Sequence, residues 1–270
     1  MNSIDWILVL FACQFLGLKT ALANPMYLSH ELAHVLRLTS PKYIFIQARN
    51  LKKFSVIGHP WSTLVLMDQN LNGYQGLGSL KTLYASPEEC KGAKPHVPED
   101  LDDVTYFCMS SGTTGLPKAV EITHRNVGAM LTMANHIPGG YDGKPFRNLA
   151  FLPFFHAFAL LVCVMLTPFN HGTLYIQVPF DPKKYVETIA REQIEVSPVV
   201  PPVVAALSVA PGLKPEMFKS MRFMPCGGAA LDADSQRRAK ERLGLPIVQG
   251  WGMSEVTVGM LGLCLDAEIG

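Results

Sequence analysis

The run Ser110-Ser111-Gly112-Thr113-Thr114-Gly115-Leu116-Pro117-Lys118 constrains this chain more than any other segment. It lies between two stretches patterned as buried strands, Val104 to Met109 and Ala119 to Thr123. Two glycines allow a tight turn that exposes consecutive N–H groups, the hydroxyls add further donors, and lysine supplies positive charge. That chemistry suits a triphosphate tail. The run is not a Walker A loop, which requires G-x-x-x-x-G-K-[ST], because Lys118 stands beyond Gly115 and Ala119 follows it. Composition alone explains the segment equally well as a polar hairpin turn. A proline fixed immediately before lysine, between two buried strands, argues against a linker.

The flanking sequence alternates short β-like runs with helical patterns, the signature of an α/β architecture. Tyr43-Ile44-Phe45-Ile46 and Thr63 to Met67 read as buried strands, and residues 70–103 as a long surface connection. Ser29 is the expected cap of a helix with Leu32, Val35 and Leu36 on its apolar face, ending before Pro41. Val127, Met130, Leu131 and Ala134 follow the spacing of an amphipathic helix over 125–136. Over 231–243, Asp232 and Asp234 near the start, three basic residues near the end and Gly244 beyond it match a helix dipole and a left-handed stop. One large mixed domain is expected.

With 270 residues, 49% of them apolar and 17% charged, the chain can bury a large core. A net charge of +1 gives no basis for a nucleic-acid groove; Lys183-Lys184 and Arg237-Arg238 read as solvated helix surface. The six cysteines form no C-x-x-C pair, and several sit in apolar runs, which fits buried free thiols in a reducing compartment. Trp6 to Leu18 is almost wholly apolar and is followed by Ala21-Leu22-Ala23, a pattern open to reading as a secretory signal. Asp5 and the absence of Lys or Arg before the run argue against that, and the run is too short to span a bilayer.

Four segments, in order, resemble the adenylate-forming superfamily of acyl-CoA synthetases, 4-coumarate–CoA ligase-like enzymes, luciferases and peptide-synthetase adenylation domains. They are the Ser110–Lys118 loop, Phe151-Leu152-Pro153-Phe154-Phe155-His156-Ala157-Phe158, Pro225-Cys226-Gly227-Gly228-Ala229-Ala230-Leu231, and Gln249-Gly250-Trp251-Gly252-Met253-Ser254-Glu255. Ala23-Asn24-Pro25 and Glu31-Leu32-Ala33-His34 also look like the family's pattern. The resemblance implies mixed β-sheets layered with helices, as in part of the family's large N-terminal domain. It also implies ATP, Mg²⁺ and coenzyme A as ligands.

By this resemblance, Ser110, Ser111, Gly112, Thr113, Thr114, Gly115 and Lys118 would cradle the β- and γ-phosphates, with Thr113 and Lys118 stabilising charge on departing pyrophosphate. Glu255 would hold Mg²⁺. Gly228, Ala229 and Ala230 would wall the adenine, although a tight turn explains their size equally well. Gln249, Gly250, Trp251, Gly252 and Ser254 would complete the nucleotide side. Trp251 replaces a commoner tyrosine and keeps the stacking face, while Ser254 replaces threonine and keeps the hydroxyl.

A lone histidine in an apolar run is ordinarily a core residue, but the resemblance places His156 with Phe158 and Met253 around the acyl substrate. Val199 to Val204 would form another wall. That greasy lining implies an aromatic or medium-chain carboxylic acid. The family's ribose-binding aspartate motif and the C-terminal domain with its catalytic lysine have no counterpart in the sequence. The expectation is therefore an incomplete adenylation domain, shortened at both ends, with impaired turnover or a partner chain supplying the C-terminal domain. The alternative is a binding-only pseudoenzyme for nucleotide or acyl-adenylate. The apolar run at Trp6 then reads as an internal helix followed by a strand at Thr20 to Ala23. That reading implies an intracellular protein, cytoplasmic rather than peroxisomal, without a membrane span.

Overall fold

A computed structural model describes residues 2–68, 74–110, 115–137, 140–259 and 261–262. The chain is a mixed α/β fold that divides into two compact units, Ser3–Thr123 and Met1–Asn2 with His124–Gly270.

In the first unit, α1 (Ile4–Phe15) begins where the Ser3 hydroxyl accepts the Trp6 N–H at 3.1 Å. The apolar run at Trp6 is thus a helix, and β1 (Thr20–Leu22) follows it. α2 (Ser29–Thr39) buries Leu32 and Val35. Ser29 is its first residue rather than its cap. Leu28 occupies the cap, and the Glu31 carboxylate accepts the Leu28 N–H at 2.7 Å, so the start is satisfied from the third helical position. Ser40, in the left-handed region, ends the helix before Pro41.

β2 (Ile44–Ile46), α3 (Leu51–Val56) and β3 (Leu64–Leu66) form a small parallel layer, with β2 paired to β3. Its core joins Leu32, Ile46, Leu51, Phe54, Leu64 and Leu66. The expected surface connection holds over 84–96, where every residue is exposed, but Ser79 and Leu80 are buried. The three-stranded sheet places β4 (Val104–Ser110) at its centre, parallel to β1 and antiparallel to β5 (Lys118–Thr123).

The second unit opens with α4 (His124–Asn135). β6 (Arg147–Ala150) leads to α5 (Ala157–Ala159), which continues through a π-helical stretch, Leu160–Met165, into α6 (Leu166–Phe169). β7 (Thr173–Ile176) pairs parallel with β6, and α7 (Pro182–Glu192) follows it. α8 (Pro201–Val209) starts on two prolines, which lack the N–H groups that a first helical turn leaves unbonded. β8 (Met224–Cys226), α9 (Ala233–Leu243), β9 (Ile247–Trp251) and β10 (Leu261–Gly262) complete it.

β8 lies parallel to β9, and single bridges at Val196 connect Asn148 of β6 to Phe223 beside β8. Met224, Ile247, Leu149, Tyr185, Ile189, Val204 and Leu243 share one core beneath these strands. α9 matches its sequence signals closely: the Asp232 carboxylate accepts the Ser235 N–H at 2.8 Å, and Gly244 stops the helix at φ 68°. Cys108, Cys163 and Cys226 are free and buried, and burial pushes the Cys108 and Cys226 thiols up to about 12. Cys90 is exposed, and Cys264 lies outside the described residues. Among the described residues no helix is long and apolar enough to cross a membrane.

Candidate functional site

The predicted site residues divide between the two units. In the first unit they ride on the β4–β5 hairpin. Ser110 pairs directly with Lys118 across the antiparallel ladder, so the loop closes on those two residues. β4 buries one face of its pleat through Tyr106, Cys108 and Ser110. Ser110 is 8% exposed, and its hydroxyl has no hydrogen-bond partner among the described residues. A buried polar atom left this way is a reserve of binding energy for a group that can satisfy it.

Lys118 is exposed and forms no ion pair among the described residues. It is the first residue of β5 rather than part of the loop, so its backbone is held by the ladder. Gly115 is also exposed, and a Cβ there would meet nothing within 4 Å among the described residues. Ser111, Gly112, Thr113 and Thr114 lie outside the described residues. One contact is not legible in the sequence: His34 Nε2 lies 3.0 Å from the Pro117 carbonyl oxygen.

In the second unit, β8 ends in the turn Gly227–Ala230 and β9 runs beside it. A Cβ on Gly227 would sit 3.4 Å from the Gly250 carbonyl oxygen and 3.4 Å from the Phe158 ring, so these three are in close contact. Gly228 has φ 85°, where side chains are strained, and a Cβ there would lie 3.7 Å from Val200. The predicted acyl-side Phe158 and Val200 and the predicted adenine-side turn therefore meet in one patch. Gly228, Ala229, Ala230, Gly250, Trp251 and Met253 are exposed, with Trp251 at 56%.

His156 caps α5, and its Nδ1 accepts the Phe158 N–H at 3.4 Å. The ring shows an open edge to solvent while neighbouring atoms crowd it, and that partial desolvation holds its pKa below the ordinary histidine value. Asn2 brackets the segment before it, donating to the Leu152 carbonyl at 2.7 Å and accepting the Phe154 N–H at 2.9 Å. No periodicity or motif marks Asn2 for that task.

Gln249 is engaged at both ends. Its Oε1 accepts the Leu231 N–H at 3.1 Å, and its Nε2 donates to Gln236 Oε1 at 2.6 Å. Gln236 in turn donates to the Ile247 carbonyl at 2.8 Å. These side chains tie the glycine–alanine turn to α9. After β9, residues 253–258 fold into a tight loop closed by the N–H groups of Val256, Thr257 and Val258 on the Met253 and Ser254 carbonyls. Met253 occupies the cap of that turn. Thr257 and Val258 hold φ 55° and 97°, costly for β-branched residues. Gly252 packs so closely that a Cβ would fall on the Val258 carbonyl. Glu255 is exposed on this loop and forms no ion pair among the described residues.

The fold is that of solved adenylate-forming enzymes. It superposes with a TM-score of 0.80 on ATP-bound MatB from Rhodopseudomonas palustris, at 24% identity, over 99% of this chain and 51% of that one. A natural red-emitting luciferase from Phrixothrix hirtus gives 0.81 at 25% identity, over 97% and 51%. The family model "AMP-binding enzyme" matches residues 1–269, and this chain belongs to the AMP-binding enzyme family. Curated relatives include 4-coumarate–CoA ligase 2 of Oryza sativa subsp. japonica, 30% identical over 94% of this chain and 47% of that protein. 4-Coumarate–CoA ligase 4 of Arabidopsis thaliana is 31% identical over 94% and 46%. The chain thus spans about half the length of these relatives.

Proposed function

We propose that this chain binds ATP with Mg²⁺ and serves the activation of a hydrophobic carboxylic acid as its acyl-adenylate, for transfer to coenzyme A. The observation that carries the reading is the hairpin in which the Ser110–Lys118 pair closes the predicted phosphate loop, with a buried hydroxyl on one strand and an ammonium on the other that have no partner among the described residues. Lys118 would meet charge developing on the pyrophosphate leaving group, where a fixed donor acts most strongly. The exposed Trp251 face offers adenine a stacking surface, and the glycines at 227 and 228 keep the approach clear.

Mg²⁺ prefers to keep phosphate oxygens and water in its shell and needs few protein carboxylates. The exposed Glu255 carboxylate, without an ion pair among the described residues, fits such an ion arriving with the nucleotide. Mg²⁺ would neutralise phosphate charge; Glu255 would orient it. Phe158 and Val200, packed on the Gly227–Gly228 turn, would give the acid an apolar surround together with Met253 after β9, and His156, held below the ordinary histidine pKa, would add a polar edge. Those groups favour an aromatic or medium-chain acid over an amino acid.

The test is equilibrium binding of ATP with Mg²⁺, followed by exchange of pyrophosphate into ATP with a panel of aromatic and medium-chain acids. Binding together with exchange that one acid stimulates, both lost in Lys118→Ala, supports adenylation by this chain. Binding without exchange assigns a nucleotide-binding role alone. No binding by folded protein overturns the proposal.

A further inference from the structure

We infer that His34 is a positioning residue for the lysine end of the phosphate loop, acting through the Pro117 carbonyl; the inference rests on the reading of that loop as the ATP site. The observation is the 3.0 Å contact between His34 Nε2 and the Pro117 oxygen, across 83 residues of sequence. A carbonyl only accepts, so Nε2 carries the proton and this tautomer is fixed by the contact.

The placement follows from α2. Leu32 and Val35 turn into the core, which anchors the helix, and the Glu31 carboxylate fixes its first turn. His34 falls beside that buried stripe, half-buried, and its ring reaches the strand entering β5. Pro117 is itself buried, and its ring locks φ. With φ fixed by the ring and the carbonyl fixed by His34, the peptide plane joining Pro117 to Lys118 has one orientation. The ladder partner Ser110 holds Lys118 from the other side. The lysine side chain is long and rotamer-rich, so fixing its backbone limits where the ammonium can reach and lowers the ordering cost of meeting an anion. Without His34, the buried Pro117 carbonyl loses its partner and the plane is free to turn.

The experiment measures the Kd for ATP with Mg²⁺ in the full chain for wild type, His34→Leu, His34→Gln, Lys118→Ala and the His34→Leu/Lys118→Ala pair. His34→Leu is expected to weaken ATP about three- to tenfold, the range of one net hydrogen bond. His34→Gln, which keeps a donor at similar reach, restores most of the loss. In the Lys118→Ala background His34→Leu adds nothing, because its effect passes through the lysine. Unchanged affinity in His34→Leu, or an equal loss with and without Lys118, overturns the inference; a helix-packing role alone produces the latter. If wild type binds no ATP, the functional reading falls. His34 is then decided by hydrogen exchange over residues 115–120, where faster exchange in His34→Leu that His34→Gln reverses supports the clamp and unaltered exchange refutes it.

Discussion

Gln249 offers the sharpest test of how the glycine–alanine turn after β8 is held. In Gln249→Leu the Leu231 N–H loses its acceptor, and Gln236 Oε1 loses the donor at 2.6 Å. Two such bonds contribute roughly 1 kcal/mol each in net terms. Gln236 is only 4% exposed, so water does not replace the missing partner, and stranding that oxygen adds about 1–3 kcal/mol. The expected loss is therefore about 3–5 kcal/mol, read as a lower urea midpoint with unchanged slope. Gln236→Leu strands the other end of the pair and also leaves the Ile247 carbonyl without its 2.8 Å donor. The double variant removes both members, so it should cost less than the two single losses added, with a coupling of about 1–2 kcal/mol. A coupling within about 0.5 kcal/mol of zero would refute the linkage of these glutamines. So would a Gln249→Leu variant as stable as wild type.

Two further predictions follow from local geometry. Gly252→Ala places a methyl on the Val258 carbonyl and must open the 253–258 loop, losing up to three backbone bonds at about 1 kcal/mol each. At the full loss the melting temperature should fall by up to roughly 10 °C, with ATP affinity falling as well; an unaltered ATP isotherm would sink this reading. His156 and His59 are both held below the ordinary histidine value by burial, so as pH falls the unfolded chain takes up protons first. Their contribution to stability is full above the ordinary histidine pKa and declines from there down to their depressed folded values. Urea midpoints between pH 7 and pH 4 should show a shallower acid-side fall in His156→Asn. An NMR titration placing His156 at or above an ordinary histidine contradicts the premise.

Much of this molecule was legible in local chemistry. The β4–β5 hairpin followed from two apolar runs around a glycine and hydroxyl loop, and α9 from its acidic start, basic end and Gly244. Those signals act between neighbours in sequence, where backbone propensity, capping and charge decide the outcome. At Gly227, Gly228 and Gly252 the structure supplies a reason for glycine in the close approach of Phe158, Val200 and Val258. The start of α2 was misplaced because Ser29 is a better cap by type than Leu28, yet the Glu31 side chain made the leucine position workable.

What only the tertiary structure decided are contacts between residues distant in the chain. His34 meets Pro117 across 83 positions, Asn2 brackets Leu152 and Phe154 across 150 and 152, and Gln249 reaches both Leu231 and α9. A histidine on a helix face and a glutamine in a strand look the same in sequence whether they face solvent or hold a loop. A hydrogen bond acts over about 3 Å, so its partner is chosen by how elements pack and not by spacing along the chain. The sequence determined which segments carry the motifs of the AMP-binding family; packing determined which other side chains hold those segments in place.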